Sequence, residues 1–317
     1  MKLPDLDVNE FTYNFRLKPE AWLFAITETC LRHHLVFKEL SPFTSGSNLV
    51  AAADNRYVIK IFPPFQRHQW DSEYKVLEFL QDKLSFPVPE LIAYGERPDQ
   101  WTYIVITLLE GITLDHTWNN CSKQNRSALL HQVGEMMAEV HALPSGNLPM
   151  LQPAWPNFLE QQLQTFQARH TKQGMPDWFI EQCTDYVNES VLLLPTAVKP
   201  VLLTGEYTPF NLLSSKTNHL QNICGMIDFG DAMTGFNEYD LLGPLMFLAA
   251  GDELLIHSLL KGYGYSTTQM DITLRHRLVG LQILHRYSDF DAQLKITDWR
   301  SKATSIKELE ELIWPIT

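Results

Sequence analysis

Cysteine is scarce in this sequence and poorly placed for cross-linking: the 317 residues hold four, Cys30, Cys121, Cys183 and Cys224, with no CxxC pair. Spacing that wide argues against a zinc site or a disulfide framework and suits free thiols in a reducing compartment. Long hydrophobic runs are lacking too, and none nears the roughly 18 residues of a membrane-spanning helix. The first residues, MKLPDLDVNEF, carry early acids where a signal peptide would be apolar. A cytoplasmic protein without membrane association is expected. Basic charge is in deficit as well. The formal net charge is −12, with 11 Lys+Arg against 15 Asp+Glu in residues 1–110 and 14 against 22 in the remainder. Such a balance opposes nucleic-acid binding, and no helical segment has the basic face of a membrane-surface binder. It either keeps the chain soluble or attracts a cationic partner. Internal repeats, low-complexity tracts and long linkers are also absent.

What remains is an ordinary globular composition, 45% hydrophobic and 20% charged. A chain this long exceeds what one core usually serves, so two lobes are expected. Residues 1–18 read as an arm packed on the first lobe. Pro19 opens a helix whose apolar stripe is Ala21, Trp22, Ala25, Ile26, Thr29 and Cys30. Val36–Leu40 reads as a strand, followed by the small-residue loop Pro42–Asn48. Backbone amides at Ser45, Gly46 and Ser47 can cover phosphates, although any hairpin loop has this composition. Leu49–Ala53, the turn Asp54-Asn55 and Tyr57–Phe62 form a hairpin. Its second strand carries Lys60, either a snorkelling edge charge or a phosphate-gripping lysine that needs an acid on the next helix. That helix, expected over 70–82, offers Glu73 near its start and Glu78 as a rival on the outer side. Ala93–Glu96 and Thr102–Leu108 complete five antiparallel strands. The rest is mainly helical, with segments at 123–143, 155–171, 177–194, 241–249, 253–262, 267–289 and 305–313.

Chemistry concentrates in residues 202–242, LLTGEYTPFNLLSSKTNHLQNICGMIDFGDAMTGFNEYDLL. Val201–Leu203 and Ile223–Ile227 read as short buried strands, each running into a carboxylate: Glu206 after the first, Asp228 after the second. Carboxylates just past the ends of adjacent strands converge. Phosphoryl transfer needs such a layout, with one carboxylate for the acceptor hydroxyl and an amide plus a second carboxylate for Mg²⁺.

This stretch resembles the catalytic core of the aminoglycoside phosphotransferase family, small-molecule kinases of protein-kinase-like fold. The family pattern is H-G-D-x-x-x-x-N, then a strand and D-x-x-x-A-x-x-G-x-x-x-x-D. The second half is complete here as Asp228, Ala232, Gly235 and Asp240. The first half has Thr204 for the His and Glu206 for the catalytic Asp, with the spacing to Asn211 intact. IKIF, SEYKVL, FPVPELIAYGE and ILHRYSDFD read most like hygromycin B phosphotransferases. The resemblance implies an α+β, bilobal, protein-kinase-like fold. Residues 1–108 would form a nucleotide-binding lobe with a five-stranded antiparallel sheet. Residues 109–317 would form a mainly helical lobe for catalysis and the acceptor.

By the same resemblance, Ser45–Ser47, Lys60 and Glu73 handle the phosphates of ATP or GTP. Thr107, Leu108 and Leu109 form the hinge facing the base. Asn211 and Asp228 hold Mg²⁺, and Glu206 takes the hydroxyl proton. Asp240 would satisfy backbone amides of the catalytic loop, and His141 is expected as a packed helix-end histidine. The acceptor, an aminoglycoside or related amino-sugar, would be cationic and drawn by Asp231, Glu238, Asp289 and Asp291. The alternative is a nucleotide-binding pseudokinase, disabled at Thr204 and Glu206. A monomer or dimer is expected.

Overall fold

The structure, a computed structural model, describes residues 1–205 and 207–316, the side chain of Ser145 excepted. The chain divides into two compact units. The first comprises Met1–Glu110 together with Ile227–Ala232, and the second comprises Gly111–Met226 with Met233–Thr317. The sequence reading divides the chain once, between residues 108 and 109. In the structure the short segment around Asp228 groups with the N-terminal residues.

The first unit is built on a sheet of β1 (Leu40–Phe43), β2 (Leu49–Ala53), β3 (Tyr57–Phe62), β4 (Leu91–Glu96) and β5 (Thr102–Thr107). Their order is β1-β2-β3-β5-β4, all antiparallel. Strand β1 starts at Leu40 rather than Val36, which is 82% exposed. The reason is local: the Asp54 carboxylate accepts the amides of Lys38 and Glu39 at 2.8 Å, taking donors a partner strand would need. Pro42 is tolerated because β1 is an edge strand. Pro19 opens a short 3₁₀ turn, and helix α1 proper runs Leu23–Arg32. Its apolar stripe buries Ala25, Ile26 and Cys30 against β2, β3 and β5 residues, with Trp22 and Trp101 in the same cluster. A fully buried Trp or Phe contributes several kcal/mol of transfer free energy. The N-terminal arm joins this core through Leu3 and Phe11, and the Leu3 amide donates to Asp99 at 2.8 Å. Helix α2 (Arg67–Leu80) buries Glu73, Val76, Leu77 and Leu80 on one face.

In the second unit, α3 (Lys123–His141), α4 (Trp155–Lys172) and α5 (Asp177–Leu192) precede two small sheets. Strand β6 (Ile112–Thr113) joins β8 (Leu212–Thr217) and β9 (Leu220–Met226), whereas β7 (Val201–Leu203) pairs with β10 (Met233–Gly235). The strands leading to Glu206 and Asp228 are therefore not adjacent in one sheet, contrary to expectation. The intervening β8 hairpins onto β9 and takes its ladder bonds. Helices α6 (Glu253–Tyr263), α7 (Ile272–Leu284) and α8 (Ile306–Ile313) complete the unit. Asp289 caps a further short helix, Phe290–Gln293, rather than ending α7. Helix α3 meets α6 almost backbone to backbone. A Cβ on Gly134 would lie 2.3 Å from the Leu259 carbonyl, and one on Gly262 would lie 2.1 Å from that of His131. Only glycine permits that approach. None of the described helices is long and apolar enough to cross a membrane.

Candidate functional site

In the first unit the central strand carries the site. Lys60 on β3 pairs with Val50 of β2 and Ile104 of β5, so its stem is enclosed on both sides. Its ammonium donates to Glu73 Oε1 at 2.8 Å and Oε2 at 2.7 Å, and to Asp228 Oδ1 at 3.0 Å. Glu73 is 1% exposed, while Glu78 points outward. A lysine on the middle of a sheet and a glutamate nearly two turns into the next helix thus meet inside the unit. Burial alone would lower the Lys60 pKa, but Asp228 and Glu73 outweigh it and raise it, so the lysine stays charged. Burial pushes the Glu73 carboxyl up while the Lys60 ammonium pulls it back. Separating such an enclosed pair by removing one partner costs roughly 3–5 kcal/mol.

Asp228 differs from Glu73: its side chain is 41% exposed. Its backbone is left-handed, φ +69°, and its described bonds, from Lys60 and the Gly230 amide, fall on Oδ1. The loop 44–48 carries Ser45, Gly46 and Ser47, all exposed, with Gly46 at φ +92°. Gln69 of α2 ties this region together, accepting from Asn48 Nδ2 and donating to Asp231 Oδ1, both at 3.5 Å. Thr107 ends β5, and its hydroxyl accepts the Glu90 amide at 2.9 Å. The Leu108 amide is already donated to the Arg56 carbonyl at 2.9 Å. Among the three expected hinge residues, then, only Leu109 has a main-chain donor not engaged in a described bond.

In the second unit the key carboxylate is Asp240, 3% exposed. Its Oδ2 accepts the Thr204 amide and its Oδ1 the Gly205 amide, each at 2.9 Å. His141, at the end of α3, lies 3.2 Å from Asp240 Oδ2 through Nε2, and its Nδ1 lies 2.9 Å from the Tyr263 hydroxyl. Burial pushes the Tyr263 phenol up to about 12, so it stays protonated and donates to Nδ1. The Nε2 proton is thereby left to face Asp240. His141 is a packed histidine that braces the carboxylate under residues 204–205. Sequence reasoning placed it at a helix end, but nothing local linked it to Asp240. Asn211 closes a turn, donating its amide to the Thr208 carbonyl at 3.1 Å. Glu206 lies outside the described residues.

The acids expected to draw a cation are engaged within the chain. Glu238 is 3% exposed and takes Arg277 at 2.5 and 2.9 Å and Tyr265 at 3.2 Å. Asp291 takes Arg300 and Trp299, which hold its carboxyl below the usual range. Asp289 caps the Ala292 amide at 3.0 Å. A cavity of about 140 Å³ opens beside Gly205, between the segment 242–247 and the end of α7. No single residue type in the sequence signalled it.

Comparison with known proteins bears on the family and the fold. Residues 39–276 match the family model described as the phosphotransferase enzyme family. No curated protein matches the chain in sequence. Among solved structures, the GDP complex of wild-type aminoglycoside 2′-phosphotransferase-IIIa is 18% identical with TM-score 0.67, covering 92% of this chain and 98% of that one. The streptomycin–ATP ternary complex of APH(2″)-IIa is 20% identical with TM-score 0.58, covering 86% and 93%. A thermostable mutant of APH(4)-Ia, in a ternary complex with AMP-PNP and hygromycin B, is 15% identical with TM-score 0.56, covering 82% and 89%. At such identities these similarities speak for the fold, which is α+β and like that of the aminoglycoside phosphotransferases. The family match spans most of the sequence, and the chain belongs to the phosphotransferase enzyme family, enzymes that place a phosphoryl group on a hydroxyl.

Proposed function

We propose that this protein transfers the γ-phosphoryl group of ATP or GTP to a hydroxyl of a small molecule, an aminoglycoside or related amino-sugar. The observation that carries the reading is the buried Lys60–Glu73 pair with Asp228 against it. An ammonium fixed by a carboxylate in this way is a preorganised cation for the α- and β-phosphates. The exposed amides of 45–47 cover the phosphates, and 107–109 face the base. The nucleotide-bound forms of the structural relatives support this assignment.

Asn211 and Asp228 would hold Mg²⁺. Both offer the hard oxygen donors that this ion prefers, and Asp228 has a part-exposed carboxylate whose described bonds fall on one oxygen only. The ion supplies charge neutralisation on the phosphates. Glu206 accepts the hydrogen bond of the acceptor hydroxyl and receives its proton late. The transition state is loose, so position matters more than basicity. Asp240, braced by His141, holds the amides of Thr204 and Gly205, the two residues ahead of Glu206 in the chain. The hygromycin-type motifs in the sequence suit a ring-hydroxyl acceptor.

Asp228→Asn tests the reading directly. Transfer from ATP with Mg²⁺ should fall by at least about 100-fold while the far-UV spectrum and melting stay native. Full activity of that variant at saturating Mg²⁺ would refute the assignment. Absence of transfer by the wild type to every acceptor, with nucleotide still bound, would favour the pseudokinase reading.

A further inference from the structure

We propose that Arg16, on the N-terminal arm, is a positioning residue for the nucleotide's phosphates. It holds and polarises the peptide between Thr44 and Ser45 so that the Ser45 amide donates to a phosphate. That role rests on the proposed function in one respect, that residues 45–47 face the nucleotide.

Little else holds the loop. Residues 41–47 are all exposed, β1 is an edge strand, and Gly46 sits at φ +92°. At the far end Asn48 is buried, yet its side chain makes only long contacts, 3.3 Å to the Ser47 hydroxyl and 3.5 Å to Gln69. Bonds of that length are weak. Among the described residues the one short side-chain bond to the loop comes from Arg16, whose Nη1 donates to the Thr44 carbonyl at 2.6 Å.

The arm delivers Arg16 from a fixed base. Its amide donates to the Phe11 carbonyl at 3.0 Å, and its own carbonyl accepts the Trp22 indole at 3.1 Å. Phe11 and Trp22 are both buried in the core of the first unit. Arg32, Arg67 and Arg97 of the same unit each take a carboxylate. Arg16 enters no described ion pair, and its Nε is buried without a partner. No described carboxylate therefore draws its charge away from the loop.

Arg16 acts through the peptide and not on the phosphate itself. Ile59 and Ile61, on either side of Lys60, pack in the cluster that holds Phe11 and Trp22. Strand alternation puts Lys60 on the opposite face, with Glu73 and Asp228. The arm thus lies behind the face that grips the phosphates. A trans peptide is planar, with its carbonyl and its N–H pointing opposite ways. A cation that takes the Thr44 carbonyl from behind turns the Ser45 N–H forward. It also polarises the amide and strengthens it as a donor, as in a chain of hydrogen bonds. A charge-assisted bond is roughly twice as strong as a neutral one, so Arg16 fixes this plane more firmly than Asn48 fixes the other end.

The test is binding to the full chain, read by calorimetry and saturation-transfer NMR. The probes are MgATP and MgGTP, with adenosine and guanosine as phosphate-free controls. Arg16→Met should weaken the triphosphate that binds the wild type by about tenfold. Binding of the matching nucleoside should not change, and melting should stay native because the lost bond is exposed. Arg16→Lys keeps the cation and should recover most of the loss. Unchanged triphosphate binding in Arg16→Met overturns the inference. Equal weakening of triphosphate and nucleoside with a fall in melting also overturns it, since that marks the arm as scaffold alone. A lysine variant no better than the methionine one has the same force. Triphosphate binding that depends on Arg16, in a wild type inert toward every acceptor, would count against the proposed function and leave this role standing. A wild type that binds neither triphosphate overturns both.

Discussion

Asp240→Asn probes the joint between scaffold and chemistry. The carboxylate is buried and divides its work: Oδ2 takes the Thr204 amide and His141, and Oδ1 takes the Gly205 amide. Asparagine keeps one oxygen and turns an NH₂ toward a group that is itself a donor. If its oxygen replaces Oδ1, the Thr204 amide and His141 Nε2 lose their acceptor. If it replaces Oδ2, the Gly205 amide does. Either arrangement forfeits at least one charge-assisted bond and leaves a buried donor unpaired, about 2–4 kcal/mol together. At roughly 2–4 °C per kcal/mol for a unit of this size, melting should fall by about 4–15 °C. Relief of the mismatch moves the backbone just before Glu206, and a displacement of about 1 Å costs on the order of 100-fold in rate. Calorimetric melting and steady-state transfer from ATP should therefore fall together. A variant with native melting and undiminished transfer would refute the bracing role of Asp240.

Three further outcomes follow from the same structure. Lys60→Ala leaves Glu73 buried without its cation, so nucleotide KM should rise and stability fall by roughly 3–5 kcal/mol; native values for both would make Lys60 incidental. Glu206→Gln should lose at least about 100-fold in transfer with nucleotide affinity little changed, and Glu206→Asp should also lose rate in an enzyme adapted to glutamate. Gain of transfer by Glu206→Asp from an inert wild type would instead mark a pseudokinase. Gly134→Ala should lower the melting temperature although alanine favours helix by about 1 kcal/mol, because its Cβ would meet the Leu259 carbonyl at 2.3 Å. Gly146→Ala, which meets nothing within 4 Å, is the control.

The sequence by itself determined the elements whose signals are local. The short apolar runs of β2 and β3, the Asp54-Asn55 turn and the stripe of α2 are each written within a few neighbouring residues. Strand period and helix period then suffice to carry Lys60 and Glu73 to one side of a sheet. The spacing from Asp228 to Asp240 was legible only through its resemblance to the family pattern, not from any local period. Tertiary structure alone decided the rest. β7 and β9 look alike in sequence but lie in different sheets, because β8 competes for β9 and β10 for β7. The charge pattern suggested an acidic mouth, yet charge in a sequence does not reveal pairing. Only folding brings Arg277 to Glu238 across 39 residues and Arg300 to Asp291. His141 reaches Asp240 across 99 residues, and Gln282 meets Gln293 across a turn that the helical pattern of α7 ran straight through. Local propensity fixes which segments are helix or strand. Partners distant in the chain are chosen by packing and by the need of every buried charge and amide for a mate, and no window of sequence contains both halves of that choice.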